Sequence, residues 1–247
     1  MISDITDDIL QKVPPRLKSL TRLETTNLSF VEAFPENTLT HLTWIGESSP
    51  SDLPHILERQ GASLQNLHFR LPERTTGSFL PDFNISMLPT MAPNLSHISL
   101  NVPRNGTWPL DTLRIISSLP ELCTADIYMN LQSECAQERS PYREMGYEEW
   151  KTWQEGCSGE EQYQEPAMSK EGALEMFEHM REVKSGVELR NVSFYVGDWT
   201  RPYDEQLYDP DWFEGRAEKV ACSVVNDGDD GWCVVERARE MDGDEYM

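Results

Sequence analysis

One short hydrophobic pattern recurs along the chain: an apolar residue, two others, an apolar residue, one other and a final apolar residue. Its copies begin at Leu39, Leu64, Leu95 and Leu189, with looser copies at Leu20 and Leu122. The second half of each copy alternates between apolar and polar residues, which predicts a strand with one buried face. The copies at 39, 64, 95 and 122 lie roughly 25 to 31 residues apart, which is typical of a repeat of one strand and one helix.

The segments between these strands have the spacing of amphipathic helices. Apolar residues at 53, 56 and 57, and again at 110, 113 and 116, form one face of a helix. Ser169 is a good N-cap for a helix that ends near Val183, and residues 5–13 predict a short helix that Pro14 ends. The alternation of strand and helix predicts an α/β solenoid, a curved parallel sheet with helices on its convex side.

Two acidic segments depart from this rhythm. Residues 132–171 contain ten acidic and four basic residues and no strand pattern, and we interpret them as a flexible acidic insertion in a repeat domain that spans residues 1–200. Residues 201–247, with fourteen acidic and five basic residues, form a C-terminal arm and an acidic tail. Within this arm, the apolar stretches 220–225 and 232–235 flank a Gly/Asp-rich turn, which predicts a β-hairpin. We expect this hairpin to cap the end of the sheet.

The formal net charge of the 247-residue chain is −22. Because so acidic a surface repels phosphate backbones and anionic lipids, we expect neither a nucleic acid nor a membrane as partner. The charge favours a basic protein partner, or it serves only solubility, and we expect the chain to be a monomer. No signal peptide is apparent. The five cysteines are odd in number and lack tight pairing, which favours reduced thiols in the cytoplasm or nucleus.

The outward-facing residues of the predicted strands form the candidate binding surface. In stacked repeat proteins the inner wall of the sheet is the usual place for a partner. Alternation assigns to this surface His41, Thr43, Asn66, His68, Arg70, His97, Ser99, Asn101, Thr124, Asp126, Tyr128, Asn191, Ser193 and Tyr195. These residues are either a hydrogen-bonding surface for a protein partner or simply the solvated face of a sheet, and the sequence leaves both interpretations open.

The histidines of this surface raise the question of a metal ion. His41 and His97 occupy equivalent positions of the pattern, and His68 lies two residues out of phase. A zinc ion needs three or four ligands at about 2 Å, whereas neighbouring strands lie about 5 Å apart and the repeat between His41 and His97 offers Asn66. We therefore predict no metal site and no cofactor. The acidic turn after Asn226 lacks the ligand order of an EF-hand loop.

Catalysis has little support in the sequence. There is no nucleophile elbow, no phosphate-binding glycine loop and no His/Cys pair at a familiar spacing. Cys222 and Cys233 alternate with valines, which favours packed thiols over nucleophiles. The alternative is an enzyme whose site lies between the solenoid and the C-terminal arm, where paired carboxylates could perform acid–base chemistry. Its candidate residues are Asp198, Trp199, Asp204, Asp209, Asp211 and Trp212.

The pattern copies at 39, 64, 95 and 189 resemble the irregular leucine-rich repeats of F-box proteins, especially fungal F-box-like proteins. The resemblance covers residues 17–200, and the stretches 197–203 and 212–216 are similar to the tails of those proteins. The resemblance implies a leucine-rich-repeat solenoid that holds a substrate. In that family an N-terminal F-box recruits a ubiquitin ligase through a Skp-type adaptor. Here the repeat pattern begins by residue 17, so the chain resembles the repeat region without the F-box. We expect the adaptor only if an F-box is encoded upstream.

Overall fold

The computed structural model describes residues 20–25, 27–45, 52–70, 80–104, 107–129, 168–196, 219–225 and 230–236. In these residues the strands are β1 (Arg22–Glu24), β2 (His41–Ile45), β3 (Asn66–Arg70), β4 (His97–Val102), β5 (Thr124–Met129), β6 (Asn191–Val196), β7 (Lys219–Ser223) and β8 (Trp232–Glu236). The helices are α1 (Leu28–Ala33), α2 (Asp52–Gln60), α3 (Asp82–Met91), α4 (Leu110–Ser117) and α5 (Lys170–Glu182), and a 3-10 turn (Gly61–Ser63) follows α2.

All of the described strands join one sheet in the order in which they occur along the chain. Strands β1 to β6 run parallel, whereas β7 runs antiparallel to β6 and β8 antiparallel to β7. Parallel neighbours need a crossover connection, and the helices α1 to α5 supply it. The predicted α/β class with a mostly parallel, open sheet is therefore confirmed. The capping role of β7 and β8 stays a prediction.

A repeated pair of hydrogen bonds sets the register just before each parallel strand. One carbonyl oxygen accepts from two consecutive backbone amides of the next strand along the sheet, at distances between 2.8 and 3.3 Å. The accepting carbonyls belong to Thr21, Thr40, Gln65, Ser96 and Cys123. Each pattern copy therefore enters the sheet at the same position relative to its neighbour.

The core lies between the helices and one face of the sheet. The strands contribute every second residue to it, such as Leu67 and Phe69 of β3, which are completely buried. In every copy from Leu39 onward, the first leucine lies in the turn before its strand and is also completely buried, and the strand begins two residues after the copy does. Leu20, before the edge strand β1, is 44% exposed instead. A fully buried leucine contributes about 1.5–3 kcal/mol. These leucines are Leu39, Leu64, Leu95, Leu122 and Leu189.

The helices bury the faces that their spacing predicts. Leu53, Ile56 and Leu57 of α2 are buried, and so are Leu113 and Ile116 of α4. The predicted N-cap of α5 is confirmed, because the Ser169 hydroxyl accepts from the amide of Gly172 at 3.0 Å. The layer also contains buried polar side chains, among them Gln60 at the end of α2.

Gln60 stabilises the turn before β2 through its side-chain amide. Its Oε1 accepts from the backbone amides of Thr38 and Leu39, at 3.0 and 3.1 Å, and its Nε2 donates to the carbonyl of Pro35 at 2.9 Å. A buried amide costs free energy unless it is hydrogen-bonded, and here both ends of the amide have partners.

The expectation of reduced thiols is wrong for Cys222 and Cys233. These residues face each other directly across β7 and β8, and a disulfide joins them. The prediction considered only closely spaced cysteines. The antiparallel pairing of β7 and β8 brings together two cysteines that are 11 residues apart in the sequence. Cys123 is a free cysteine. One helix contact also attaches this end of the sheet: Glu178 of α5 accepts from the amide of Gly231 at 3.0 Å.

Several predicted segments lie outside the described residues. They include the helix at residues 5–13, the acidic insertion up to residue 167, and most of the C-terminal arm. None of the helices in the part of the chain that the structure describes is long and apolar enough to span a membrane.

Candidate functional site

The sheet face opposite the core carries all fourteen predicted surface residues, and we call it the polar face: His41, Thr43, Asn66, His68, Arg70, His97, Ser99, Asn101, Thr124, Asp126, Tyr128, Asn191, Ser193 and Tyr195. Burial alternates along β3, β5 and β6 as the period of two requires. Asn191 is exposed, Ser99 and Asn101 in the centre are buried, and the others are half-buried. The structure thus places these residues together on one face of the sheet.

The parallel register arranges the polar face in rows that cross the strands. His41, Asn66, His97, Thr124 and Asn191 form the first row, as their equivalent positions in the pattern predict. The second row contains Thr43, His68, Ser99, Asp126 and Ser193. In the third row, Asn101 pairs with Tyr128 and Tyr128 with Tyr195, near the carboxyl ends of the strands.

The third row contains a stack of cations and aromatic rings, which we call the ladder: Arg70, Tyr128, Tyr195 and Lys219. The Arg70 guanidinium lies 3.3 Å from the centroid of the Tyr128 ring. The rings of Tyr128 and Tyr195 stack at 4.2 Å with an interplanar angle of 8°. Lys219 lies 5.3 Å from the Tyr195 centroid, and it pairs with Glu236 of β8 at 2.6 Å. The ladder therefore links four strands, β3, β5, β6 and β7.

The electrostatics of the ladder suit binding better than proton transfer. Burial raises the pKa of Tyr128 above its usual value, opposed by the charge of Arg70, so the phenol stays protonated near neutral pH. The hydrogen bond from Lys219 to Glu236 raises the pKa of Lys219, which keeps this cation charged. The sequence analysis missed Lys219 and Glu236 because it predicted β7 from Val220 onward. Extending the alternation by one residue would have found Lys219.

A second cluster lies on a diagonal across β3, β4 and β5. The rings of His68 and His97 have centroids 4.6 Å apart at an interplanar angle of 42°, and His97 Nε2 lies 3.7 Å from Asp126 Oδ2. The other ring nitrogen, His97 Nδ1, lies 2.7 Å from Thr124 Oγ1. Burial is the main reason that the pKa of His97 lies below its usual value; Asp126 opposes this lowering and His68 adds to it.

This diagonal changes the geometric argument about metal ligands. In the first row, Asn66 separates His41 from His97, as the pattern spacing predicts. His68, in contrast, lies on the strand next to His97, and the two rings are in contact. Diagonal neighbours in a sheet are within reach of long side chains. One ligand atom each from His68, His97 and Asp126 lie within 4.8 Å of one another.

The opposite end of the polar face forms a shallow depression of about 410 Å³ between β1, β2 and β3. His41 lines it and contacts Thr40, with Nδ1 2.9 Å from the hydroxyl oxygen. Burial, and secondarily the nearby Arg22, lower the pKa of His41. The depression lies at the β1 edge of the sheet, and apolar residues such as Leu23 and Leu42 line it together with the polar ones.

The residues of the alternative enzyme hypothesis, from Asp198 to Trp212, lie outside the described residues. Of the aspartates in the acidic turn, only Asp230 lies in the described part of the chain. The chain was compared with protein-family models, curated proteins and solved structures, and nothing in these comparisons matches it. The function therefore has to be argued from the polar face itself.

Proposed function

We propose that this chain is a non-enzymatic protein-binding module whose partner docks on the polar face. The observation that carries the proposal is the ladder, in which two tyrosines and two cations lie half-buried on a polar surface. Tyrosine and arginine are enriched among the residues that dominate binding free energy in protein interfaces. Their neighbours in the sheet already hold these side chains in place, so binding costs little side-chain entropy.

Within this proposal the chain is a leucine-rich-repeat solenoid similar to the repeat region of fungal F-box-like proteins. The sequential order of the parallel strands, the helices on one face and the repeat spacing of roughly 25 to 31 residues support this class. In such solenoids the strands line the concave wall. Strands β7 and β8 would cap β6, whose edge would otherwise be open to pairing with another chain.

The cap can be tested by truncation. A chain that ends at about residue 205 lacks β7 and β8, and it would leave Val192 and Phe194 of β6 without their neighbours Cys222 and Val220. We expect this chain to bind hydrophobic dyes and to precipitate, because uncapped repeat ends expose core residues. Unchanged solubility and melting behaviour would exclude the capping role.

The proposed cellular context is substrate recognition by a ubiquitin ligase, in the cytoplasm or nucleus, for a partner of basic character. The acidic segments 132–171 and 201–247 supply the charge that would attract such a partner. The disulfide between Cys222 and Cys233 removes one argument for a reducing compartment. Affinity purification of the full-length gene product from its native host should recover a Skp-type adaptor, and its absence would rule out the ligase context.

The binding proposal is tested with a variant of the ladder and a matched aromatic control. Tyr128→Ala removes the central ring, whereas Phe83→Ala removes a ring that is 70% exposed on α3, outside the polar face. Each chain is used to capture proteins from an extract of the native host. We expect the unaltered chain and Phe83→Ala to retain the same set of proteins, and Tyr128→Ala to lose that set. Loss of a central aromatic anchor costs about 2 kcal/mol or more, roughly 30-fold in affinity. Identical protein sets for all three chains would refute the proposal.

A further inference from the structure

Three side chains that can bind metals surround a buried, unpaired hydroxyl on the polar face, two from its second row and one from its first. Ser99 of β4 pairs in register with His68 on one side and with Asp126 on the other, and His97 lies two residues earlier on the same strand. Ser99 is 1% exposed, and its hydroxyl oxygen has no hydrogen-bond partner.

The cluster also contains a ring nitrogen that lacks a hydrogen-bond partner. His97 Nε2 is buried and makes no hydrogen bond, although it faces the Asp126 carboxylate at 3.7 Å. When Nδ1 donates its proton to the Thr124 hydroxyl, at 2.7 Å, Nε2 carries a lone pair. A lone pair and a carboxylate oxygen are both acceptors, so a cation between them would satisfy both. Metal-bound histidines commonly donate their second ring N–H in this way.

The distances fit an ion after small side-chain rotations. Ligands at about 2.0–2.2 Å in tetrahedral geometry lie about 3.4 Å from one another. His97 Nε2 and Asp126 Oδ2, at 3.7 Å, are close to this separation, and all three ligand atoms lie within 4.8 Å of one another. The His68 and Asp126 side chains are partly exposed and can rotate. The three hydrogen-bonded parallel strands hold their Cα atoms in place, which pre-organises the site.

We propose that His68, His97 and Asp126 bind one divalent first-row transition metal ion, with Zn²⁺ as the best fit. Two imidazoles and one carboxylate are ligands that Zn²⁺ accepts, whereas Mg²⁺ and Ca²⁺ prefer oxygen ligands alone. Three protein ligands leave a fourth position for water. This proposal does not depend on the protein-binding function.

The test is isothermal titration calorimetry, in which Zn²⁺ is added to the full chain after a chelator has removed any bound metal. We expect one equivalent to bind, and we expect His68→Gln and Asp126→Asn each to weaken this binding at least tenfold. The matched control is His41→Gln, which removes a histidine of the same face outside the cluster. It should bind Zn²⁺ like the unaltered chain. Circular dichroism of each metal-free variant checks that it is folded, and half-buried His68 provides the deciding variant if Asp126→Asn does not fold.

Co²⁺ provides a second measurement, because its visible spectrum reports the ligands. We expect bands without thiolate charge transfer, since no cysteine belongs to the cluster. Absence of binding, thiolate ligation, or equal affinity for the unaltered chain and His68→Gln would each overturn the proposal. The last result would mean that the ion binds elsewhere, for example in the acidic segments.

Discussion

The two faces of the sheet are built from alternate residues of the same strands, yet they hold different kinds of interaction. On the helix-covered face of β3, Leu67 and Phe69 are completely buried among other apolar side chains. On the polar face of the same strand, the His68 ring contacts the His97 ring at a tilt and the Arg70 guanidinium lies over the Tyr128 ring. The covered face draws its stability from many interchangeable contacts. The polar face depends on a few pairs, so a chemical function is to be sought there.

The largest difference between the faces should appear when a large apolar side chain is removed. Phe69 is completely buried, and its ring centroid lies 5.9 Å from that of Trp44. Phe69→Ala should lower the free energy of unfolding by about 3–5 kcal/mol, because it loses burial and leaves a cavity. His68→Ala, the adjacent residue on the polar face, should cost about 1 kcal/mol or less. Urea unfolding without metal measures both, and equal losses would contradict the comparison.

Gln60 qualifies the comparison, because it is a polar residue on the covered side. Gln60→Leu keeps a side chain of similar size but leaves the amides of Thr38 and Leu39 without their acceptor. We expect a loss of about 1–3 kcal/mol in the free energy of unfolding. Gln65→Leu, at an exposed position, is the control and should have little effect. A neutral Gln60→Leu would mean that the covered side tolerates loss of its polar contacts.

A double-mutant cycle measures how specific the polar face is. Tyr128 and Tyr195 stack at 4.2 Å, so their replacement by alanine, singly and together, should give a coupling free energy of about 0.5–1.5 kcal/mol. Tyr128 paired with distant Phe83 is the control cycle, for which the coupling should not exceed about 0.5 kcal/mol. Unfolding in urea supplies all the values. Equal couplings in the two cycles would show that the stacking carries no specific free energy.

The smallest expected effect is a response of the polar face to acid. Burial and Arg22 lower the pKa of His41 below 6.5, the value for the unfolded chain. Between the two pKa values the unfolded chain binds more protons than the folded one, so stability falls as the pH falls below 6.5 and is complete above it. His41→Gln should therefore lose slightly less stability than the unaltered chain between about pH 7.5 and pH 5.5. An identical pH dependence would remove His41 as a contributor.

Much of the fold could be predicted because the pattern encodes burial directly. Each parallel strand begins two residues after its pattern copy begins, because the first leucine of the copy lies in the preceding turn. Helix α1 was not predicted, although Asn27 accepts from the amide of Ser29 as a cap, because six residues give too short a periodicity. Helix α3 was not predicted either, because a proline inside a segment argues against a helix, yet α3 continues through Pro89 to Met91. The disulfide was missed because it depends on a pairing that spacing does not reveal.

The candidate site was predictable only as a surface. Alternation identified the fourteen residues of the polar face, since it needs only the period of the strand. The ladder and the cluster around Ser99 depend on which residues of neighbouring strands lie side by side or diagonally. That register is set by backbone hydrogen bonds such as those from Ser96 and His97 to the Gln65 carbonyl, which a single pattern copy does not contain.

The paired hydrogen bonds before each strand determine where the chain can gain or lose residues over evolution. An insertion in the turns 61–65 or 92–96 would move the bonded amides and turn alternate side chains to the wrong face. A connection that follows a strand can lengthen at less cost, because each doubling of its length costs only about 0.6 kcal/mol in loop closure. Those connections vary accordingly, from residues 46–51 to residues 130–169. We therefore expect new segments to be tolerated best after the carboxyl ends of the strands, near Tyr128 and Tyr195, where they would leave the register of the sheet unchanged.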